Sequence, residues 1–252
     1  MLALVTGASA GIGRDIAVSL SQKGYDLILV ARRKERLDEL KRSLSTHVTA
    51  ICADLSLREE CFRLCEEVRD LPVDLVVNNA GFGCLGAFAE TDMERELEMI
   101  QVNICAVHIL TKFFTEKFKK QNCGTILNVA SSAAFLPGPY MATYYATKAY
   151  VLRLSRALRE EVKHTGVRIC TFCPGPVKTE FDRVAKVSVS LKGMESKKAA
   201  EYAVEGAFKG KAVIVPGVSM KVTRLISKIM PECLLVKFSG RIQKSKLRSD
   251  LH

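Results

Sequence analysis

The chain has 252 residues, 48% of them hydrophobic and 26% charged, which is enough apolar material for the sizeable core of one large α/β domain. Its formal net charge is +11, but from Lys221 onward eight Lys/Arg stand against Glu232 and Asp250, so +6 of that belongs to the tail and no basic stripe with interleaved aromatics suggests a nucleic-acid surface. Nine cysteines without framework spacing point to free thiols in a reducing, cytoplasmic setting, and four scattered histidines give no metal-ligand cluster. No uninterrupted apolar run reaches the roughly eighteen to twenty residues of a membrane span. The strand pattern that begins at residue 2 argues against a signal peptide.

Residues 2–5 form a short β-type run that breaks into TGASAGIG at 6–13, followed by a helical pattern to about 23 and a capping Gly24. Strand, glycine loop and helix together present backbone N–H groups and a helix N-terminus to a phosphate. The spacing is GxxxGxG rather than GxGxxG. Gly7, Gly11 and Gly13 still allow close approach of a pyrophosphate and tight packing of helix on strand, with Ser9 and Ile12 in the same loop.

A second strand at 26–31 ends in Arg32 and Arg33. In a dinucleotide fold this strand end meets the adenosine ribose, where an acid bonds a free 2′-hydroxyl and arginine suits a 2′-phosphate. The pair therefore predicts NADP(H); the alternative is that both are solvated residues opening the helix over 31–44. A strand at 47–52 delivers Asp54 to a strand end, where it can accept from an adenine amine. A helix at 56–69 and a strand at 73–77 lead into NNAG at 78–81, whose amides and small residues can cover the adenine ribose and brace the central strands. The long amphipathic segment 90–120 carries Asn103 on an apolar face, which costs stability unless the amide is bonded, so a structural or water-holding role is expected.

An apolar strand at 125–130 runs to Ser131, thirteen residues before Tyr144, and Tyr144 precedes Lys148 by four. On a helix that spacing puts phenol and ammonium on one face. There the ammonium favours the phenolate and is expected to lower the tyrosine pKa. A hydroxyl and a phenol converging on one substrate oxygen make an acid–base site for carbonyl/alcohol chemistry. The helix is predicted to run to about 164. A strand at 167–173 follows, then the turn PGPVKT, which places Thr179 against the nicotinamide or the phosphates. Cys170-x-x-Cys173 has redox spacing, but its position on that strand argues against a redox role.

Residues 181–193 show no period and read as a lid; a helix at 196–209, a strand at 212–215 and a Pro-Gly turn close the core. Phe135, Tyr140 and Met141, with Phe181, offer an apolar substrate pocket or are ordinary packing. No repeat or linker interrupts the chain, so residues 1–217 read as one domain and 218–252 as a basic amphipathic extension of it.

TGASAGIG, Asp54, NNAG, Asn103, Ser131 with Tyr144-x-x-x-Lys148, and PGPVKT, in that order, resemble the short-chain dehydrogenase/reductase family over residues 1 to about 217. The resemblance implies a Rossmann-type, doubly wound parallel sheet of about seven strands with the site at their carboxyl ends. It implies that Tyr144 is the general acid/base, Ser131 polarises the substrate oxygen, Lys148 binds the nicotinamide ribose and Asn103 holds a water in a proton relay. It also implies cofactor contacts from Leu55 beside Asp54, from Asn79, Ala80 and Gly81, and from Pro174, Gly175, Val177 and Thr179. Ser132 and Tyr145 adjoin the pair, yet only Ser131, Tyr144 and Lys148 meet both family spacings.

The stretch around Tyr144 is similar to a bacterial-type reductase branch, distantly related to 3-oxoacyl and 17β-hydroxysteroid reductases. That nominates NADPH-dependent reduction of a 3-oxoacyl or other lipophilic ketone. Competing readings are a small hydroxy-amino-acid dehydrogenase and a catalytically idle NADP(H)-binding regulator. Helices at 91–120 and 140–164 are expected to pair between subunits of a homodimer or homotetramer. The extension is expected to pack over the substrate cleft or at a subunit interface with its Lys/Arg in water, rather than to form a monotopic membrane patch.

Overall fold

Apolar strands and amphipathic helices alternate through the computed structural model, which describes residues 1–185 and 193–247. In chain order these are β1 (Leu2–Thr6), α1 (Gly11–Ser21), β2 (Asp26–Ala31), α2 (Lys34–Ser43), β3 (Val48–Cys52), α3 (Arg58–Glu67) and β4 (Val73–Asn78). There follow α4 (Met93–Ile100), continued by a π-helical segment (Gln101–Ala106) into α5 (Val107–Gln121), then β5 (Gly124–Val129) and α6 (Ala142–Glu161). β6 (Val167–Phe172), β7 (Val177–Lys178), α7 (Phe181–Val184), β8 (Met194–Glu195), α8 (Ser196–Phe208) and β9 (Val213–Ile214) lead to α9 (Val218–Ile229) and α10 (Glu232–Leu247).

Seven strands make one parallel sheet in the order β3-β2-β1-β4-β5-β6-β9, the doubly wound architecture expected from the sequence. Both faces are covered, so the strands are continuously apolar rather than alternating. Val5, Leu29 and Val77 point into one core with Ile16 and Leu20 of α1 and the small residues Ala199, Ala203 and Ala207 of α8. Leu4, Ile28 and Val76 point into the other, against Leu64 of α3 and Phe114 and Phe118 of α5. The order reverses between β1 and β4, which opens a crevice at the carboxyl ends of the strands.

Element boundaries differ from expectation mainly at helix ends. α6 stops at Glu161 rather than near 164, because the chain turns there through a Thr165 hydroxyl that donates to the Val162 carbonyl at 2.7 Å. The expected aperiodic lid begins with the short helix α7; residues 186–192 lie outside the described residues. Although no apolar run is unbroken, the continuous helix Met93–Gln121 is long and apolar enough, by length and composition, to cross a membrane, with mean hydropathy 1.3. In this fold it packs on the sheet through Leu110, Phe114 and Phe118. All nine cysteines are free, and burial pushes the Cys173 thiol up to about 12, far from a reactive thiolate.

Candidate active site

The crevice is a single continuous cavity of about 460 Å³, lined at one end by Arg32, Arg33 and Asp54 and at the other by Ser131, Tyr144 and Lys148. Glycine makes its floor. Gly7 has φ 65°, and a Cβ on it would lie 2.8 Å from the Ala80 Cα and the Asn79 amide nitrogen. Only a residue without a side chain lets the loop after β1 close on the NNAG turn after β4. Gly13 does not line the cavity; a Cβ there would meet the Asn79 side-chain amide at 2.3 Å and the Gly7 carbonyl at 2.4 Å, so its role is to let α1 pack against the glycine loop and the turn after β4. Asn79 holds this junction from its side, donating to the carbonyls of Thr6 at 3.0 Å and Gly7 at 3.3 Å.

Of the expected cofactor contacts, Gly7, Ser9, Gly11, Ile12, Leu55, Asn79, Ala80 and Gly81 line the cavity, as do Pro174, Gly175, Val177 and Thr179. Thr179 lies against the glycine loop: its methyl would sit 3.0 Å from a Cβ on Gly11. Both arginines are engaged. Arg33 donates to the Ser9 hydroxyl at 3.2 and 3.0 Å and to Glu180 at 2.9 Å, and Arg36 also donates to Glu180. Hydrogen bonds from Arg33 and Arg36 hold the Glu180 carboxyl well down, to about 2. Arg32 bonds Glu98 at 3.0 Å and stands 3.7 Å from Asp54. Asp54 lines the cavity; its Oδ1 accepts from the Ser56 N–H and hydroxyl, which holds the carboxylate in place with Oδ2 toward Arg32.

α6 buries Tyr144, Thr147, Lys148, Val151, Leu152 and Ser155, a stripe at three- and four-residue intervals that aims the phenol and the ammonium into the cavity. Ser131 lies close enough to Tyr144 for its hydroxyl to pull the phenol pKa down, and that hydroxyl accepts from Ala133 N at 3.1 Å at the end of β5. The neighbouring Tyr145 instead accepts from Gln243 Nε2 of α10 at 2.6 Å. Ser131 is thus a neighbour of Tyr144 in the cavity wall, while Tyr145 is tied to α10.

The expected lowering of the Tyr144 pKa is not what the fold alone produces. Burial raises it well above the usual phenol value, and the Ser131 hydrogen bond works the other way. The same burial lowers Lys148 to about 8, and its ammonium donates to the Val129 carbonyl at 3.1 Å while standing 5.8 Å from the Tyr144 ring centroid. Desolvation is therefore the largest influence on both groups.

Asn103, in the π-helical segment, does not line the cavity. Its amide exchanges two hydrogen bonds with the backbone of Phe82, at 3.1 and 2.9 Å, and donates to Thr147 at 3.1 Å. It fastens the loop after β4 to α6 behind the two candidate site residues, and the bonding satisfies the buried amide. Asn78, the first residue of the NNAG motif and the last of β4, starts a second buried network through Asn128 to Ser155 that ties β4, β5 and α6 together.

Met141 and Phe181 line the cavity beside Tyr144, joined by Phe82 and Val102, whereas Phe135 and Tyr140 do not. Phe135 packs with Val151 and Leu152 under α9, and Tyr140 adopts φ 66° with its carbonyl accepting from Gly86 N at 2.9 Å. Sequence reasoning missed Glu180, Gln243 and Lys246, all of which line the cavity. Glu180 directly follows the PGPVKT turn and was open to notice there. Gln243 and Lys246 come from the far end of the chain, on a helix whose inward face no local pattern marks.

Comparison with known proteins gives a consistent result. The sequence profile described as short chain dehydrogenase matches residues 1–188. An uncharacterized oxidoreductase of Staphylococcus epidermidis is 35% identical over 180 residues, covering 71% of this chain and 78% of that protein. A very-long-chain 3-oxoacyl-CoA reductase of Pyrenophora tritici-repentis is 31% identical over 196 residues, 74% of this chain and 58% of the relative. Among solved structures, a short-chain dehydrogenase from Sphingobium yanoikuyae in complex with NADPH superposes with a TM-score of 0.83 at 31% identity, covering 90% of this chain and 92% of that one.

Proposed function

Because the chain belongs to the short-chain dehydrogenase family, we propose that it is an NADP(H)-dependent oxidoreductase that reduces a lipophilic ketone, 3-oxoacyl groups included, to a secondary alcohol. The observation that carries this reading is the single cavity that joins Arg33 at one end to Ser131, Tyr144 and Lys148 at the other. The residues present fit a nicotinamide dinucleotide. Gly7 leaves room for close backbone approach, Arg33 and Ser9 supply donors where a 2′-phosphate would lie, and Lys148 supplies an ammonium where a ribose would lie. When bound, the nicotinamide supplies or accepts the hydride.

The rest of the chemistry belongs to the protein. The Ser131 hydroxyl, locked by Ala133 N, orients the substrate oxygen beside the Tyr144 phenol. Tyr144 gives its proton to that oxygen during reduction and takes it back during oxidation. Burial keeps the Tyr144 phenol protonated, the form reduction requires, but makes it a weaker acid, so its proton leaves only with help from a nearby positive charge. Lys148 is the cation that stabilises the phenolate left behind, and Asn103 holds the loop and helix in register around it. Met141, Phe181, Phe82 and Val102 make the wall next to Tyr144 apolar, which favours a lipophilic ketone over a small hydroxy-amino acid. The similarity to a 3-oxoacyl-CoA reductase supports the same class.

The test is a titration of the purified protein with NADPH and with NADH, following nicotinamide fluorescence, repeated with Arg32→Ala plus Arg33→Ala. A preference for NADPH that collapses in the variant is expected. Equal affinity for the two cofactors would contradict the phosphate assignment, and binding of neither would contradict the nucleotide site.

A further inference from the structure

α9 sits on the molecule with its apolar side outward. Its inward face is Met220, Thr223, Arg224 and Ser227, spaced three and four apart. Met220 reaches the Gly175 turn, with its sulfur 2.7 Å from the position of a Cβ there, and the Arg224 guanidinium lies 5.8 Å from the Phe135 ring centroid. The opposite face carries Val218, Leu225 and Ile229, which are 76%, 58% and 77% exposed, with Val222 and Ile226 between them. After the turn at Pro231, α10 continues the pattern: Leu235, Ser239 and Gln243 face inward while Leu234 and Phe238, the latter 60% exposed, face out. An amphipathic helix normally buries its apolar stripe, and an outward apolar face of this extent marks an interaction surface.

The charges around that face identify what it meets. Lys221 and Lys228 flank the apolar stripe of α9, and Lys237, Arg241 and Lys244 flank that of α10, all exposed. Among the described residues of the two helices the only acid is Glu232. A second copy related by a two-fold axis would bring these five cations against one another with one carboxylate, Glu232, per copy to offset them. An anionic lipid surface offers both complements, phosphate headgroups for the cations and acyl chains for the leucine, isoleucine and phenylalanine side chains.

We infer that the outward face of α9 and α10 docks the protein on an anionic bilayer. α10 also supplies Gln243 and Lys246 to the wall of the active-site cavity, and its Ser239 donates to the carbonyl of Pro137, so docking sets the cavity beside the lipid surface. The inference does not depend on which ketone is reduced.

Flotation of the full chain with vesicles of phosphatidylcholine alone, and of phosphatidylcholine mixed with phosphatidylglycerol, tests it. The wild type is expected to float with the mixed vesicles and much less with phosphatidylcholine. Leu225→Glu plus Ile229→Glu should lower the floated fraction at least about tenfold, and Lys221→Gln plus Lys228→Gln should lower it and weaken its salt dependence. These positions are exposed, so unchanged melting temperatures are expected and show that the fold is intact. A wild type that stays in solution with both vesicle types overturns the inference, whether it sediments as a monomer or as a dimer that the glutamate pair dissociates. The latter result would put a second copy on this face. Equal flotation of the wild type and the glutamate variant overturns it as well.

Discussion

Arg33 Nη1 donates to Glu180 Oε2 at 2.9 Å, joining the end of β2 to the segment after β6 across the cofactor trough. Arg36 donates to both oxygens of the same carboxylate. Under the proposed function, a 2′-phosphate and Glu180 compete for these donors. Glu180→Gln should therefore tighten NADPH binding about threefold to tenfold, the scale of a lost surface ion-pair competitor, and leave NADH unchanged; fluorescence titration with both cofactors measures this. The carboxyl is depressed to about 2, so its attraction to the arginines is complete above its ordinary value near 4.5 and fades only as pH falls towards 2. The competition is then constant across the neutral range.

Tyr144 and Tyr145 are adjacent but differently placed, the first beside Ser131 in the cavity and the second bonded to Gln243 of α10. Tyr144→Phe should reduce kcat about 10²- to 10⁴-fold, the usual worth of a positioned proton donor, with NADPH affinity retained. Tyr145→Phe loses only the contact to α10 and should keep kcat within about threefold of wild type, as an exposed or neutral bond is worth roughly 1 kcal/mol or less. Equal losses in the two variants would contradict the assignment.

Lys148 illustrates the cost of the site. Its folded value of about 8 against an ordinary 10.5 means that the buried ammonium binds its proton more weakly in the folded chain than in the unfolded one. The penalty is complete below pH 8 and disappears as pH rises towards 10.5. Lys148→Met should abolish activity yet raise stability by about 1–2 kcal/mol at neutral pH, after allowing for the lost bond to the Val129 carbonyl. Chemical denaturation should show that gain shrinking between about pH 8 and 10.

Gly13→Ala tests the packing of α1 on the glycine loop and the turn after β4. Its new methyl would fall 2.3 Å from the Asn79 amide and 2.4 Å from the Gly7 carbonyl, and the backbone oxygen has nowhere to go. A loss of about 1–3 kcal/mol is expected, with cofactor affinity falling in parallel as the glycine loop shifts.

The sheet was legible because buried parallel strands are continuously apolar: β2 (Asp26–Ala31) could be delimited from composition alone, and the others to within a residue or two. Tyr144 and Lys148 were legible because four residues make one helical turn. The packing of α9 was not. Its sequence carries a clear apolar stripe, but which way a stripe faces is decided by what the opposite side can grip, here Met220 on the Gly175 turn and Arg224 on Phe135. Gln243 was hidden for a related reason, since it reaches the cavity from a segment distant in the chain from the Tyr145 it bonds. The raised Tyr144 pKa was missed because spacing reports proximity to a cation and says nothing of burial.

The most direct measurement is steady-state oxidation of NADPH in the presence of a panel of lipophilic ketones and 3-oxoacyl thioesters, with wild type and Tyr144→Phe side by side. The account predicts NADPH consumption matched by formation of the secondary alcohol for bulky apolar members of the panel, and its collapse in the variant. Tight NADPH binding with no turnover across the panel, or turnover that survives loss of the Tyr144 hydroxyl, would contradict it.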